Sequence, residues 1–293
     1  MKSIYASKET SQAIWPDFIA HFRNDTTKAS YQTDLDEVMN YLEKDFITFD
    51  KKDVRKYFEW QNSRVEAGEL KASTMAKKIR ECHSFAEYIS EHIHTYEDLF
   101  SEYLPMIEKQ EKYVKGIPIE DIDKLFSAAS DDISAYCIMA LLYRAGFTST
   151  EITELKLQDV EEYADGVYIY IRARRKACYI PEDAVDILFR YLNQREDAEY
   201  LFYNKKKAKL NTMYISRMMK KYTSLAGIPA YSAENIRNSC GLTMFAYGAK
   251  EKHVAEQLGT TQIQIKRYNN MSYKNQLQRQ AHELVTLRLV PPK

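Results

Sequence analysis

Glycine and proline are scarce in this sequence of 293 residues, which contains only 8 Gly and 7 Pro. Folds built from many tight turns use more of both, because glycine supplies positive φ angles and proline fixes turns. Hydrophobic residues make up 45% of the chain and charged residues 29%, which is enough apolar material for packed cores. The composition therefore favours a mostly helical globular protein, and its length allows two domains.

Long apolar runs are also missing. No stretch approaches the roughly 18 consecutive apolar residues that a membrane-spanning helix needs. The first residues, MKSIYASKETSQ, lack the apolar core of a secretory signal. We therefore expect no membrane partner and a cytoplasmic location.

Cysteine is sparse as well, and the chain has only four: Cys82, Cys137, Cys178 and Cys240. They are far apart and show no metal-ligand spacing, and no histidine cluster accompanies them. This pattern is typical of buried free thiols in a reducing compartment. No metal site and no cofactor are expected.

A net charge is absent too, since 42 Lys and Arg balance 42 Asp and Glu. Taken alone, this balance argues against a nucleic-acid partner. The charges are unevenly placed, however, with an acidic excess over residues 1–115 and a basic excess over the remainder. Local basic clusters are therefore more informative than the total.

Hydrophobic residues recur with helical spacing throughout the first hundred residues. Four helices with short connections are predicted there, which would form a small bundle. The second helix is expected to begin at Thr26 or Thr27, the third at Asp50 and the fourth at Ser73, each as an N-cap. The polar segment 101–117 contains Pro105, is followed by Pro118 and is predicted to be a linker.

A second domain is predicted over residues 118–293. One helix is expected to stop at Gly146, and the next to begin with Ser149 or Thr150 as cap and Glu151 behind it. The following stretch, GVYIYIRARRKACYIPE, has alternating β-rich runs around a basic turn and predicts a hairpin. Helical patterns then continue to the end.

Three sequence boxes in this domain resemble those of the tyrosine recombinase (phage integrase) family. YRAGFTSTEITELKLQDV is similar to its Gly-x-Arg-x-x-Glu-Leu box, SAENIRNSCGLTMFAYG to its His-x-x-Arg box, and VAEQLGTTQIQIKRY to its Leu-Gly-His…Tyr box. The preceding bundle resembles the core-binding domain of the family, so the resemblance covers essentially the whole chain. It implies a mainly α fold class, with an N-terminal helical core-binding (SAM-like) domain over residues 1–100. A C-terminal tyrosine-recombinase-like domain with a small β-hairpin or sheet would follow.

The resemblance also implies a chemistry. In the family a tyrosine attacks a DNA phosphodiester, and two arginines, a hairpin lysine and two histidine-type residues assist. Arg237 and Tyr268 match their positions in the boxes, whereas five other positions carry substitutes: Thr148, Ala173, Glu234, Asn238 and Thr260. A register shift of one or two residues could bring a neighbouring hairpin cation into the place of Ala173.

These substitutions predict that strand cleavage is lost. A charge-stabilising arginine in phosphoryl transfer contributes about 10³–10⁵ in rate, and a positioned acid or base roughly 10²–10⁴. Glu234 would also place a negative charge beside the phosphate. The sequence thus predicts a protein that is not an enzyme and in which Tyr268 is a relic. It would hold duplex DNA between its domains and act as a transcriptional repressor of a prophage, associated with the nucleoid of a bacterial host.

Thirteen cations are predicted to contact DNA, mostly its phosphates. They lie in the first domain, in the hairpin, in a lysine-rich turn and in the His-x-x-Arg box: Lys28, Lys77, Lys78, Arg80, Arg172, Arg174, Arg175, Lys176, Lys205, Lys206, Lys207, Lys209 and Arg237. For each cluster the alternative is an ordinary solvated face.

Two other functions stay open at this point. One is an active site-specific recombinase that uses Tyr268 as its nucleophile, and the other is a protein-interaction module that has lost DNA binding. The amphipathic segment 275–290 is expected to pack either on a neighbouring protomer, giving a homo-oligomer on DNA, or on its own domain. The sequence identifies no peptide or protein antagonist.

Overall fold

The computed structural model describes residues 1–107 and 114–268. The chain divides into two compact units, residues 1–110 and 111–293. The division falls inside the segment predicted as a linker, where two 3₁₀ turns, Ser101–Tyr103 and Pro105–Ile107, are formed. The predicted helix 275–290 lies outside the described residues.

The first unit is a helical bundle. Its α-helices are α1 (Trp15–Ala20), α2 (Asp25–Leu42), α3 (Lys51–Glu66) and α4 (Ala72–His92). The core is rich in aromatic rings, and Phe46, Phe85 and Phe100 are fully buried in it. The ring of Phe46 lies 4.9 Å from that of Phe85 and 5.6 Å from that of Phe100. This packing supplies most of the stability of short helices, which are marginal alone.

Helix α3 begins where the sequence predicts. The Asp50 side chain accepts hydrogen bonds from the backbone N–H groups of Lys52 and Asp53, at 2.7 and 2.9 Å. The Asp53 carboxylate in turn accepts the Asp50 N–H, which completes a capping box.

Helices α2 and α4 begin earlier than predicted. Asn24 caps α2 through a 2.9 Å bond from the Thr26 N–H to its side-chain oxygen, so neither Thr26 nor Thr27 is the cap. Helix α4 follows Lys71, which has extended backbone and no side-chain cap, and Ser73 already lies within the helix. Several adjacent polar residues can each begin a helix, and the sequence pattern alone does not choose among them.

The second unit packs helices around a small sheet. Its helices are α5 (Ile119–Ala128), α6 (Ile133–Ala140), α7 (Ser149–Glu154), α8 (Glu182–Gln194), α9 (Thr212–Leu225), α10 (Ala233–Ala246), α11 (Glu251–Leu258) and α12 (Gln262–Ile265). Its strands are β1 (Val160–Tyr163), β2 (Gly166–Ile171) and β3 (Lys176–Ile180). The predicted mainly α fold class with a small sheet is confirmed.

The sheet is antiparallel in the order β1-β2-β3. Strands β2 and β3 form the predicted hairpin, with Ile169 opposite Cys178, and β1 adds a third strand with Val160 opposite Ile169. Every second residue of β2 is buried, and Tyr170 on the other face is exposed. The helix that follows Gly146 therefore ends at Glu154, before the chain enters β1.

The chain reverses at Gly146, where the sequence predicts a helix stop. Helix α6 continues through a π-helical turn, Leu141–Ala145, and Gly146 closes it with a left-handed φ of +68°. A side chain at Gly146 would also lie 2.5 Å from a methyl group of Leu258. Only glycine satisfies both constraints, so the turn brings the end of α11 close to the start of α7.

All four cysteines are buried and free, as the sequence predicts. No helix within the described residues is both long enough and apolar enough to cross a bilayer.

Candidate functional site

Arg237 and Arg174 reach the same carbonyl group from different elements. Arg237 lies on α10, and its Nε donates to the Gly146 oxygen at 3.0 Å. Arg174 lies in the hairpin turn, and its Nη2 donates to the same oxygen at 3.3 Å. The two side chains also bond to the last carbonyls of α11, Arg237 to Leu258 at 2.6 Å and Arg174 to Gln257 at 2.5 Å. Carbonyls at a helix C-terminus have no partner within the helix and carry partial negative charge, so guanidinium groups stabilise them.

Arg174 also forms a buried ion pair with Glu151. Its Nε and Nη2 donate to the two carboxylate oxygens, each at 2.6 Å. The side chains are only 8% and 10% exposed. Burial alone would raise the pKa of Glu151, but the bonds and charge from Arg174 outweigh it and hold that pKa below its ordinary value. The pair ties the hairpin turn to the start of α7.

Thr148 occupies the position of the first arginine in the family pattern. It is the N-cap of α7, because its hydroxyl accepts the Glu151 N–H at 3.1 Å and Glu151 accepts the Thr148 N–H at 2.8 Å. The cap therefore lies one or two residues before the predicted caps, Ser149 and Thr150. The position that lacks an arginine has a structural role instead.

Tyr268 is buried, with 6% of its surface exposed. Its hydroxyl donates to the Asn238 side-chain oxygen at 2.8 Å. Burial raises the pKa of Tyr268, although the positive charges of Arg237 and Arg267 partly oppose this effect. A side chain at Gly241 would lie 2.8 Å from the tyrosine ring, so this glycine lets the ring rest on α10.

A cleft of about 420 Å³ opens beside these residues. The hairpin contributes Ala173, Arg174 and Lys176 to its wall, and the end of α11 contributes Gly259 and Thr260. The structure thereby brings together two positions, Ala173 and Thr260, that lie far apart in the sequence. A side chain at Gly259 would come within 2.3 Å of Arg174. Because residue 259 is glycine, the Arg174 side chain has room beside the end of α11.

Two further residues lie outside this group: Glu234, which is a predicted position, and Arg144, which comes two residues before Gly146. Glu234 is exposed in the first turn of α10, where its charge contributes to the raised pKa of Tyr268. Arg144 pairs with Asp183 at 2.8 Å, away from the cleft walls.

The predicted DNA-contacting cations of the second unit have different surroundings. Arg174 is not on the solvent-facing side of the hairpin, contrary to the prediction, because Glu151 and the carbonyls hold it inside. Four others form ion pairs of 2.8–3.6 Å with acidic neighbours: Arg172 with Asp159, Lys176 with Glu256, Lys207 with Glu196 and Lys209 with Glu154. Arg175, Lys205 and Lys206 are exposed.

The predicted DNA-contacting cations of the first unit also differ in their surroundings. Lys78 is buried, contrary to the prediction of a DNA-facing surface, because it bonds to Asp34 at 3.1 Å and Glu37 at 3.0 Å. Lys77 pairs with Asp34 at 2.7 Å, and Lys28 with Asp25 at 3.7 Å. Arg80 is exposed. DNA contact by the exposed cations stays a prediction.

Sequence reasoning missed the inward position of Arg174 and the bond between Tyr268 and Asn238. The sequence contained one indication of the inward position of Arg174, namely Glu151. A carboxylate that caps a helix with one oxygen leaves the other free for a cation, and a basic run follows in the hairpin.

Comparison with known proteins gives three findings. The model of the phage integrase family matches residues 116–275. The tyrosine recombinase XerC of Staphylococcus aureus (strain bovine RF122 / ET3-1) is 29% identical over 153 residues, which is 49% of either chain. The same protein of strain JH9 is 29% identical over 152 residues. The chain thus spans about half the length of the curated relatives it matches.

Solved structures share the fold over most of the chain. XerH site-specific recombinase bound to a palindromic difH substrate, in a post-cleavage complex, has a TM-score of 0.72 at 15% identity, covering 96% of this chain and 85% of that one. A lambda integrase dimer bound to a COC′ core site has a TM-score of 0.69 at 14% identity, covering 88% and 93%. At this identity the similarity establishes the fold.

The relatives contradict one prediction from the sequence. The curated matches are named as recombinases, which are enzymes, so the prediction that this chain is not an enzyme is wrong. That prediction rested on the substituted family positions alone.

Proposed function

Because this chain belongs to the phage integrase family, we propose that it binds a specific site in double-stranded DNA and attacks one strand through Tyr268. The observation that carries the proposal is that helix α10 holds Arg237 and supports the ring of Tyr268, and that Arg237 binds the carbonyl groups of Gly146 and Leu258 beside the cleft. The relatives named as tyrosine recombinases and the neighbours solved with DNA support it.

In the proposed step the Tyr268 oxygen loses its proton and bonds to the phosphorus of a DNA phosphodiester. The bond from phosphorus to the 5′ oxygen breaks, and that oxygen leaves as a hydroxyl after taking up a proton. The product is a 3′-phosphotyrosyl link. Arg237 has hydrogen-bond donors beyond those used on Gly146 and Leu258, and these can stabilise the charge on the phosphate oxygens.

The resting site must open for this step. A neutral phenol is a weak nucleophile, and burial raises the pKa of Tyr268. We propose that DNA binding shifts the 3₁₀ turn Lys266–Tyr268, which breaks the bond to Asn238 and brings the phenol next to Arg237 and the bound phosphate. Loss of the bond to Asn238 and closer approach to the positive charge of Arg237 both lower the pKa of the phenol and favour attack.

Covalent trapping tests the reaction. The wild-type chain first selects a site from a library of random duplexes, and the selected duplex is then nicked beside each candidate phosphate so that the cleaved end diffuses away. We expect a covalent adduct with the wild type and none with Tyr268→Phe. Tyr247→Phe removes the same hydroxyl from a tyrosine that is 89% exposed, and should behave like the wild type. Absence of an adduct with the wild type, or its persistence in Tyr268→Phe, would contradict the role of Tyr268.

A second role is regulation of transcription by occupancy of the same site, as in a prophage repressor. The observation in its favour is that Tyr268 is enclosed while the cleft is open, so the resting protein can bind DNA without presenting its phenol. Under this role Tyr268→Phe binds the selected duplex as tightly as the wild type does in a gel shift. Weaker binding by this variant would mean that occupancy depends on the tyrosine.

A further inference from the structure

We propose that Lys252 and Lys176 hold one DNA phosphate across the cleft, and that Glu256 occupies this place while DNA is absent. Lys252 belongs to none of the sequence boxes that resemble the family. The inference rests on the proposed function and adds a contact to it.

The two lysines face one space from different elements. Lys176 begins β3, Lys252 lies in the first turn of α11, and both line the cleft together with Arg174 and Gly259. Lys252 is exposed, and the Lys176 side chain is 53% exposed in a solvated ion pair, so both ammonium groups can be reached by an anion. A phosphate oxygen accepts hydrogen bonds from lysine readily, and two ammonium groups on opposite walls would hold one diester.

Arg174 does not compete for this role. Its Nε and Nη2 are used by Glu151 and Gly146, and its Nη1 bonds to Gln257 and approaches the sulfur of Cys178 at 3.6 Å. Glu151 also cancels its charge. The lysines are therefore the cations of this cleft that are available to DNA, and Arg174 fixes the hairpin turn beside α11.

Glu256 is the acidic residue lining the same cleft. It lies one helical turn after Lys252 on α11, and its carboxylate is 3.6 Å from the Lys176 ammonium group. Its side chain is 45% exposed and that of Lys176 is 53% exposed, so the pair is solvated and weak. A DNA phosphate bound at this position is also negatively charged, and it can replace the Glu256 carboxylate as the ion-pair partner of Lys176.

The salt dependence of binding to the selected duplex tests this contact. Each phosphate contact contributes about 0.9 to the slope of log affinity against log salt concentration. We expect Lys252→Gln to lower that slope by about one contact, and to weaken binding to selected and scrambled duplexes equally. Lys250→Gln is the matched control, because it removes an exposed lysine just before α11 that does not line the cleft. Glu256→Gln should instead bind more tightly, since it removes the competing anion.

The outcomes separate this inference from the proposed function. If the wild type selects no duplex, the proposed function fails. If the wild type selects a site but Lys252→Gln keeps the wild-type slope, or Lys250→Gln loses as much, the phosphate contact is overturned. Weaker DNA binding by Glu256→Gln would overturn the proposal that the Glu256 carboxylate competes with the phosphate.

Discussion

Neighbouring residues of the basic run 172–177 have opposite environments. Arg174 is enclosed by Glu151 and helix-end carbonyls, whereas Arg175 is exposed at the turn with a φ of +51°. The sequence shows only that four cations lie close together. Which of them turns inward depends on the conformation of the turn and on the space above Gly259, and neither can be inferred from composition.

The ion pair of Glu151 and Arg174 predicts a particular dependence of stability on pH. Because the folded protein holds the pKa of Glu151 below its ordinary value of 4.5, the charged pair stabilises the fold above that pH. This contribution is lost as the pH falls further, through the pKa of the folded state. Glu151→Gln should therefore lower the free energy of unfolding by roughly 3–5 kcal/mol near neutral pH, because it leaves a buried guanidinium unpaired.

Urea unfolding of the wild type and Glu151→Gln between neutral and acidic pH measures this effect. The difference between them should shrink below the ordinary pKa of the carboxyl. Glu162→Gln, at an exposed position on β1, should cost no more than about 0.5 kcal/mol at neutral pH. A difference between wild type and Glu151→Gln that stays constant into acid would contradict a stabilising charged pair.

At the scale of single elements, helix α10 organises the site. Arg237, Asn238 and Gly241 lie within about one helical turn of each other, so one helix presents the guanidinium, the partner of the Tyr268 hydroxyl and the surface for its ring. The spacing of the His-x-x-Arg box was readable from the sequence. The use of Asn238 as a hydrogen-bond partner was not, because Tyr268 comes 30 residues later.

The N-terminus of α10 is fixed by a capping box. The Ser232 hydroxyl accepts the Asn235 N–H at 3.3 Å, and the Asn235 side chain accepts the Ser232 N–H at 2.9 Å. Ser232→Ala should lower the free energy of unfolding by about 1 kcal/mol and loosen the start of the helix that carries Arg237. Thermal unfolding measures the change. Ser224→Ala, an exposed serine near the end of α9, is the control, and an equal loss in both variants would contradict the cap.

Helix boundaries were predictable where only one nearby residue could begin or end the helix. Asp50 and Gly146 were placed correctly, the first because its carboxylate completes a capping box and the second because its backbone is left-handed. Boundaries near Thr26, Ser73 and Ser149 were wrong by one to three residues. Adjacent polar side chains offered equivalent caps near Thr26 and Ser149, and α4 begins after Lys71 without a side-chain cap.

At the scale of the whole molecule, the order of elements together with the resemblance of three boxes to the phage integrase family predicted the fold. A bundle followed by helices around a small hairpin was visible in the change of hydrophobic period. The prediction that the chain is not an enzyme rested on substitutions at family positions, whereas the matching relatives are named as recombinases. Whether duplex DNA lies between the two units stays a prediction.

Equilibrium binding across a salt series tests site-specific DNA binding most directly. The wild-type chain is titrated against its selected duplex and against a scrambled duplex of the same length and composition. We predict tighter binding to the selected duplex, with an affinity that falls by about 10³–10⁵ between 50 and 200 mM salt if six to ten phosphates are contacted. Equal affinity for the two duplexes, or an affinity that does not change with salt, would contradict the proposed function and favour a protein-interaction module.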